Sequence, residues 1–205
     1  MIVTGAPVEH LDFEKVGYWE ELSEIFDYIE NNVTSTLFIC WASQAALYHY
    51  YKIGKHQLPK KLFGVYQHKV SVPKENLFFG FDYIFNVPHS RHTEVRKEDI
   101  IMEENIEILS ESEVAGVYIA ATKDRRKFFL SGHSEYDCDT LGKEYFRDLN
   151  KGLDIEIPVN YFPEDNHKNL PKTSWKSTAN LLFNNWINYY VYQKTEYDIT
   201  KIGSN

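Results

Sequence analysis

The sequence is poor in cysteine, in net positive charge and in long apolar runs. Cys40 and Cys138 are its only cysteines, too few for a disulfide framework, which favours a reducing cytoplasmic compartment. Acidic residues outnumber basic ones by 30 to 22, so the chain lacks the basic surface of a nucleic-acid-binding protein. The most apolar segment, 181–192, contains three asparagines and is too short to cross a bilayer. No secretion signal is expected from the first residues, and neither nucleic acid nor membrane is an expected partner.

The composition is that of a folded domain. The 205 residues are 43% hydrophobic and 25% charged, which is ordinary for a soluble globular protein. No internal repeat or Gly/Ser-rich linker divides the chain, so residues 1–205 are predicted to form a single domain. The 15 tyrosines and 13 phenylalanines indicate large aromatic contacts in a core or a subunit interface.

Helical and β-type patterns alternate along the chain. Apolar residues spaced three and four apart predict helices at 19–31, 42–51, 140–150 and 179–193. Thr140 is placed to cap the third of these helices and Gly152 to end it. β-Branched and aromatic runs predict strands at 35–39, 62–70, 81–87, 106–109, 117–121 and 127–130, and the end of another strand at Ile2 runs into a Gly5-Ala6-Pro7 loop. Interleaved strands and helices predict the α/β class.

Cys40 lies where an apolar strand passes directly into a helix, which is the layout of a nucleophile elbow. The helix N-terminus offers unpaired N–H groups and partial positive charge, which favour a thiolate. The N–H of Trp41 is placed to donate to the oxyanion of a tetrahedral intermediate. Taken alone, the segment also fits a small buried core cysteine. Cys40 is therefore a candidate nucleophile.

A second candidate group follows the predicted strand 127–130. His133 lies at the carboxyl end of that strand, where open α/β sheets place functional groups. Glu135, two residues later, is placed to hydrogen-bond one ring nitrogen and leave the other facing a thiol. The alternative is a solvated turn histidine beside an acid. Together with Cys40, the pair predicts a Cys–His–Glu triad.

Three other signals are weaker. Cys138 lies among acidic residues, whose charges disfavour a thiolate, and is predicted to be non-catalytic. His89 and His92 have a spacing found in metal sites, but no cysteine or carboxylate cluster completes a ligand set, so no metal is expected. No G-x-G-x-x-G or Walker sequence offers a cradle for nucleotide phosphates.

With these groups identified, the chain resembles the homoserine O-succinyltransferase/O-acetyltransferase family of methionine biosynthesis. The resemblance implies a class I glutamine-amidotransferase-like fold, a flavodoxin-like three-layer α/β sandwich, and a homodimer. The segments that carry it run nearly from end to end: IVTGAPVEHLDFEKVGYWEEL, NVTSTLFICWASQAALYHYY, KKLFGVYQHKV, GFDYIFNVPHSRHTEV, SGHSEYDCDTLGKEYFRDL, IPVNYFPEDN and LLFNNWINYYVYQKTEYD.

The resemblance also implies a ping-pong acyl transfer to L-homoserine, with acetyl-CoA as co-substrate and no bound cofactor. Cys40 is implied as the acyl-thioester nucleophile, His133 as the general base and Glu135 as the residue that orients it. A Cys-based glutaminase or amidase would share the chemistry up to the acyl-enzyme and differ only in donor and acceptor.

Four further positions match the family's functional positions. Lys61, Ser90 and Arg147 match substrate-binding residues, and Glu144 matches an acidic residue near the active site. Arg147 offers a planar fork for a carboxylate such as that of homoserine. Taken alone, Glu144 and Arg147 are an ordinary helical i,i+3 pair, and Lys61 is a solvated charge beside Lys60.

Glu9 matches the position that separates acyl-CoA preferences in the family, where Glu accompanies acetyl and Gly accompanies succinyl. A succinyl carboxylate about 4 Å from Glu9 would meet a repulsion of about 4 kcal/mol at an effective dielectric near 20. This energy corresponds to about a thousandfold in binding. The sequence therefore predicts an acetyltransferase, with succinyl transfer and an exposed loop acid as the alternatives.

Two departures from the family pattern stand out. Ser134 replaces a residue that is usually proline, which is expected to loosen the turn that places His133 against Glu135. Family members also carry an N-terminal section before the strand at Ile2, with an active-site lysine. The chain is expected to be N-terminally incomplete relative to the family, and an inactive truncated homologue or interaction-only subunit is the non-catalytic alternative.

Overall fold

The computed structural model describes residues 1–196. Residues 197–205, which include the end of the last matching segment and of the predicted domain, lie outside the described residues. Within the described part, seven strands form one mixed sheet in the order β1-β2-β7-β6-β5-β3-β4. The strands are β1 (Ile2–Val3), β2 (Thr36–Ile39), β3 (His56–Val70), β4 (Ile84–Glu94), β5 (Ile106–Ser112), β6 (Gly116–Thr122) and β7 (Lys127–Leu130). The α-helices are α1 (Trp19–Asn32), α2 (Trp41–Tyr51), α3 (Lys97–Ile101), α4 (Thr140–Asn150) and α5 (Lys176–Trp186).

The parallel part of the sheet brings the two candidate groups to one edge. β1, β2 and β7 run parallel, whereas β7, β6, β5, β3 and β4 pair antiparallel in turn. Ile39 at the end of β2 pairs with Leu130 at the end of β7. The residues after both strands therefore leave the sheet side by side, which brings Cys40 close to the 131–135 loop.

Apolar side chains alternate between the two faces of the sheet, as strand geometry requires. Phe38 and Phe129 stack with ring centroids 5.5 Å apart and belong to the core under α1 and α2. Leu37 and Phe128 belong to the core under α5. Each fully buried phenylalanine contributes about 1.5–3 kcal/mol, so both faces are stabilised by helical layers. The predicted three-layer α/β sandwich is confirmed.

A third core cluster fixes α4 at the rim of the sheet. Leu141 and Tyr145, one helical turn apart, pack with Phe63 of β3 and with Trp175. This stripe directs the other side of α4, which carries Glu144 and residues 147–148, toward the sheet edge. The helix begins at Thr140 as predicted, but the N-cap position is Asp139, without a side-chain capping bond.

Several predicted boundaries were wrong. The predicted strand 81–87 is β4, which continues through Pro88 to Glu94, because Pro88 lies on an edge strand where no second ladder needs its missing N–H. β3 begins six residues earlier than predicted, beyond an irregularity in its pairing between Gln57 and Leu62. The last predicted helix is α5, which continues as a π-helical segment from Ile187 to Tyr192. α3 was not predicted. No helix of the described residues is long and apolar enough to span a membrane.

Candidate active site

An open cleft of about 540 Å³ lies at the edge of the sheet where β2 and β7 end. Eight residues with predicted catalytic, substrate-binding, specificity or acidic roles line this one cleft: Glu9, Cys40, Lys61, Ser90, His133, Glu135, Glu144 and Arg147. The cleft is also lined by His10, His92, Tyr136 and Asp148, to which the sequence analysis gave no role in it. The lining is rich in charge, as a cleft for polar substrates requires.

Cys40 occupies the sharp turn between β2 and α2. Its backbone has φ 55° and ψ −120°, a combination that costs a non-glycine residue about 1–3 kcal/mol. Its N–H donates to the carbonyl of Leu130 at 2.7 Å, which anchors the turn to β7. The strained strand-to-helix turn is the geometry of a nucleophile elbow.

The Gly5 loop lies directly against this elbow. A Cβ at Gly5 would lie 3.2 Å from both the Cβ of Cys40 and the backbone nitrogen of Trp41, so this close approach favours glycine. Trp41 is the first residue of α2, and its N–H has no carbonyl one turn earlier in the helix to bind. This donor beside Cys40 is suited to an oxyanion.

His133 is fixed by the loop after β7. Its N–H donates to the carbonyl of Pro88 at 2.8 Å, and its Nδ1 lies 2.6 Å from Oε1 of Glu135. Because Nδ1 is engaged by Glu135, Nε2 is the ring nitrogen left for a thiol. The imidazole and Cys40 line the same cleft.

The charge state of His133 follows from these neighbours. Burial alone lowers its pKa, but the Cys40 thiolate and the Glu135 carboxylate together raise the pKa of His133 to about 10. His133 is therefore an imidazolium at neutral pH, and an imidazolium beside a cysteine is the arrangement that activates the sulfur as a nucleophile.

Ser134 lies in the turn between His133 and Glu135, where the family usually has proline. The turn is closed, since the His133–Glu135 hydrogen bond is short. The buried Ser134 hydroxyl lies 2.5 Å from the hydroxyl of Tyr118 on β6. The serine side chain therefore ties the loop after β7 to the neighbouring strand. At this position the chain therefore has a hydrogen bond to the sheet in place of the rigid proline ring.

Glu144 is the centre of a polar network opposite His133. Its Oε2 accepts from the Ser90 hydroxyl at 2.6 Å, and its Oε1 accepts from the Tyr136 hydroxyl at 2.8 Å. The ammonium of Lys61 lies 3.7 Å from the same Oε2. With its side chain only 15% exposed, Lys61 is not the solvated charge that its position beside Lys60 also allowed; Lys60 is 75% exposed and pairs with Glu156.

Arg147 is paired with Asp148 rather than with Glu144. Its Nε and Nη2 donate to the two carboxylate oxygens of Asp148 at 2.7 and 3.0 Å. Asp148 also lies 3.7 Å from Lys61. The simple i,i+3 pair of Arg147 with Glu144 is therefore not found. Arg147 is half-exposed, and its Nη1 group takes no part in the two bonds to Asp148.

Glu9 lies at the mouth of the cleft, half-buried. Its backbone carbonyl accepts from Lys55 Nζ at 2.5 Å, which fixes the loop. The side chains of Glu9, His10 and His92 bring their ligand atoms within 4.8 Å of one another. Among the described residues, this group comes nearest to a metal-ligand set, and its mixture of imidazole and carboxylate suits a borderline metal such as zinc.

His89 and Cys138 lie away from this chemistry. His89 is fully buried and its Nε2 lies 3.2 Å from Nε2 of His68. His92 lines the cleft instead, because residues three apart on a strand point to opposite faces. The two histidines of the H-x-x-H sequence therefore cannot share a metal. Cys138 is exposed and does not line the cleft.

Comparison with known proteins identifies relatives over nearly the whole chain. The model of a family described as homoserine O-succinyltransferase matches residues 1–197. A homoserine O-acetyltransferase from Brevibacillus brevis is 57% identical over 199 residues, which are 97% of this chain and 65% of that protein. One from Bacteroides thetaiotaomicron is 56% identical over 202 residues, 98% of this chain and 66% of that protein. The chain thus spans slightly less than two thirds of the length of these relatives.

Solved structures support the fold. A glutamine amidotransferase from Thermotoga maritima superposes with a TM-score of 0.64 at 15% identity and covers 93% of this chain and 78% of its own. A glutamine amidotransferase from Methylobacillus flagellatus gives a TM-score of 0.62 at 12% identity, with 94% and 76% covered. At such identities the likeness defines the architecture, which is that of class I glutamine amidotransferases. The family model matches residues 1–197 and the named relatives are more than half identical, so the chain belongs to the homoserine O-succinyltransferase family.

Proposed function

We propose that the protein is a homoserine O-acetyltransferase that transfers acetyl from acetyl-CoA to the hydroxyl of L-homoserine through a thioester on Cys40. The observation that carries the proposal is the elbow cysteine facing the hydrogen-bonded His133–Glu135 pair in one cleft. The names of its relatives supply the substrate class. The reaction belongs to methionine biosynthesis and is proposed to take place in the cytoplasm.

In the first half-reaction, the Cys40 thiolate attacks the thioester carbonyl of acetyl-CoA. The developing oxyanion accepts from the Trp41 N–H. The C–S bond to CoA breaks, and the departing thiolate takes the proton held by His133. The enzyme then carries acetyl on Cys40, and His133 is neutral.

In the second half-reaction, neutral His133 accepts the proton of the homoserine hydroxyl as its oxygen attacks the acetyl-Cys40 carbonyl. The C–S bond to Cys40 breaks and releases O-acetylhomoserine. The thiolate–imidazolium pair is thereby restored. Glu135 accepts a hydrogen bond from Nδ1 of His133. It thereby holds the neutral imidazole in the tautomer whose Nε2 is free to take the proton.

The network opposite His133 is suited to the amino-acid end of homoserine. Arg147 would bind the carboxylate through its remaining N–H groups, and the Glu144 carboxylate would attract the ammonium. Ser90 and Lys61 hold Glu144 in place. Because these residues line the same cleft as His133 and Cys40, homoserine bound in this way would have its hydroxyl available to the acyl-enzyme.

Glu9 favours acetyl over succinyl. A succinyl group differs by a carboxylate at its far end, and a half-buried carboxylate at the mouth of the cleft repels it. The family description refers to succinyl transfer, whereas the named relatives are acetyltransferases. The charge of Glu9 favours the activity of the named relatives.

A direct test is the mass of the acyl-enzyme. Incubation with acetyl-CoA in the absence of homoserine is expected to add one acetyl group to the peptide that contains Cys40, and L-homoserine is expected to remove it. Cys138→Ala is the matched control, because that cysteine is exposed and outside the cleft. An acetyl group that persists in Cys40→Ala would contradict the mechanism.

A glutaminase or amidase is the second candidate, because the fold is shared with glutamine amidotransferases. The two activities differ in the acyl donor. Release of ammonia from glutamine at a rate above that of acetyl transfer would favour the amidase.

A homodimer is proposed for the assembly. α5 and the π-helical segment after it form one continuous helical element. Ile187 and Tyr192 are exposed on this element, whereas Leu182, Trp186 and Tyr190 are buried in the core. Its inner face thus stabilises the fold, and only its outer face is free for a partner. Light scattering coupled to size exclusion would measure a mass near twice that of the chain.

A further inference from the structure

Tyr136 contacts the proposed base face to face. Its ring lies 4.2 Å from that of His133, centroid to centroid, with 16° between the planes. A tight turn creates this contact, since the Tyr136 N–H donates to the His133 carbonyl at 3.2 Å. The Tyr136 carbonyl in turn accepts from Trp175 Nε1 at 3.1 Å. The backbone of Tyr136 is therefore fixed at both ends, and the ring has little freedom to leave the imidazole.

The hydroxyl of the same residue reaches the opposite side of the cleft. It donates to Oε1 of Glu144 at 2.8 Å, while Oε2 of Glu144 accepts from Ser90 at 2.6 Å. Burial and then the Glu144 charge raise the pKa of Tyr136 far above its ordinary value. The phenol thus stays protonated, and remains a donor to Glu144, over the whole working range of pH. One side chain therefore contacts both the base and the proposed acceptor-binding acid.

We propose that Tyr136 is a positioning residue that couples the acceptor side of the cleft to the base. Its ring holds the His133 imidazole in line between Glu135 and Cys40, and its hydroxyl holds Glu144. The inference rests on the proposed transfer through Cys40.

Two effects of the stack follow from its geometry. An aromatic face attracts a cation, so the stack stabilises His133 as the imidazolium that pairs with the thiolate. The stack also blocks rotation of the imidazole out of the Glu135 hydrogen bond. Loss of the ring should therefore weaken the thiolate–imidazolium pair, whereas loss of the hydroxyl alone should not.

Two variants separate the two parts of the proposal. Tyr136→Phe removes the hydroxyl and keeps the stack, and Tyr136→Leu removes both. Tyr28→Leu, on the exposed side of α1, is the matched control for losing a tyrosine ring. Cys138→Ser is the common background, so that iodoacetamide reports on Cys40 alone.

The first readout is the pH at which alkylation of Cys40 reaches half of its plateau. Tyr136→Leu is expected to raise this pH by about 0.5 unit, the size of a cation–aromatic contact. Tyr136→Phe is expected to leave it unchanged. The second readout is steady-state transfer, in which Tyr136→Phe raises the KM for homoserine about fivefold with kcat changed less than twofold, and Tyr136→Leu also lowers kcat about tenfold or more.

The outcomes are distinguishable. If Tyr136→Leu keeps the alkylation midpoint and kcat of Tyr28→Leu, and only its melting temperature falls, Tyr136 is a packing residue and the proposal is wrong. If Tyr136→Leu does not fold, an unchanged KM in Tyr136→Phe contradicts the coupling by itself. If the midpoint shifts but the wild type transfers no acetyl to homoserine, the positioning role is supported and the proposed function is contradicted.

Discussion

Cys40 and His133 each adopt an unfavourable state that neighbouring contacts stabilise: a strained backbone at Cys40 and a buried charge at His133. Cys40 has a positive φ that a non-glycine residue adopts only when its surroundings enforce it. The bond from its N–H to Leu130 and the start of α2 supply that enforcement. His133 is buried with Glu135 as its partner, which offsets the cost of burying a charge.

The raised pKa of His133 predicts how Cys40 reacts with pH. With a pKa of about 10, His133 keeps its positive charge beside Cys40 between pH 7 and 9, and an adjacent imidazolium is the setting that activates a cysteine. The rate of Cys40 alkylation by iodoacetamide is therefore expected to change less than threefold from pH 7 to 9. A free thiol with a pKa near 8.5 would accelerate about twentyfold. The measurement uses Cys138→Ser, and a twentyfold rise in that protein would contradict the ion pair.

Ser134 predicts an energetic coupling with Tyr118. Their hydroxyls lie 2.5 Å apart and both residues are buried, so removing either one leaves the other unsatisfied at a cost of about 1–3 kcal/mol. In a double-mutant cycle of Ser134→Ala and Tyr118→Phe, the double variant is expected to lose about 1 kcal/mol less stability than the sum of the single variants. Urea unfolding of the four proteins gives the numbers. Strict additivity would mean that this hydrogen bond does not hold the turn.

The sequence was sufficient to predict several of the residues that meet in the cleft. Cys40 was predicted because a strand-to-helix junction is a local pattern, and His133–Glu135 because the two are neighbours in sequence. Lys61, Ser90 and the α4 residues depended on the family resemblance. Tyr136 received no role because its stack depends on a turn that closes from 133 to 136. The sequence contained one indication of this contact, namely a tyrosine, Tyr136, three residues after the candidate base His133. The role of Asp148 as partner of Lys61 required the packing of α4 against β3.

At the scale of elements, the loop after β7 is packed so closely that it tolerates no side chain at Gly132. A Cβ there would lie 2.7 Å from Val87 and 2.8 Å from His89. Since the loop carries His133, a shift there moves the base away from Cys40.

Gly132→Ala is therefore expected to destabilise the fold by about 1–3 kcal/mol and to lower acetyl transfer at least tenfold. Gly17→Ala is the matched control, because a Cβ at Gly17 meets nothing within 4 Å. Its stability is expected to stay within about 0.5 kcal/mol of wild type. Thermal unfolding and the transfer rate are measured on both variants. Equal behaviour of the two would mean that the loop has room to move.

Elements were predicted where local pattern and tertiary packing agree. β7 was predicted from its aromatic residues and α4 from its apolar stripe, and both spans were correct. β4 was predicted to end before Pro88, because proline interrupts most strands, and only its place at the edge of the sheet makes it acceptable. The order of the strands required long-range pairing, which no local pattern contains.

At the scale of the whole molecule, the fold gathers charged side chains in the cleft that contains the Cys40 thiol. The same fold occurs in glutamine amidotransferases, and a shared fold does not define the reaction, so the acyl group must be argued from the residues of the site. Glu9, which lines the cleft and is held by Lys55 through its backbone, is the residue that we propose selects the acyl group.

The most direct test of the account is kcat/KM for acetyl-CoA and succinyl-CoA with L-homoserine as acceptor. It is measured in the wild type, in Glu9→Gly, which removes charge and volume, and in Glu9→Gln, which removes only the charge. The account predicts that the wild type prefers acetyl-CoA by about a thousandfold. Glu9→Gln should lose most of this preference, and Glu9→Gly should gain in kcat/KM for succinyl-CoA while losing for acetyl-CoA. Equal use of both donors by the wild type, or an unchanged ratio in Glu9→Gly, would contradict it.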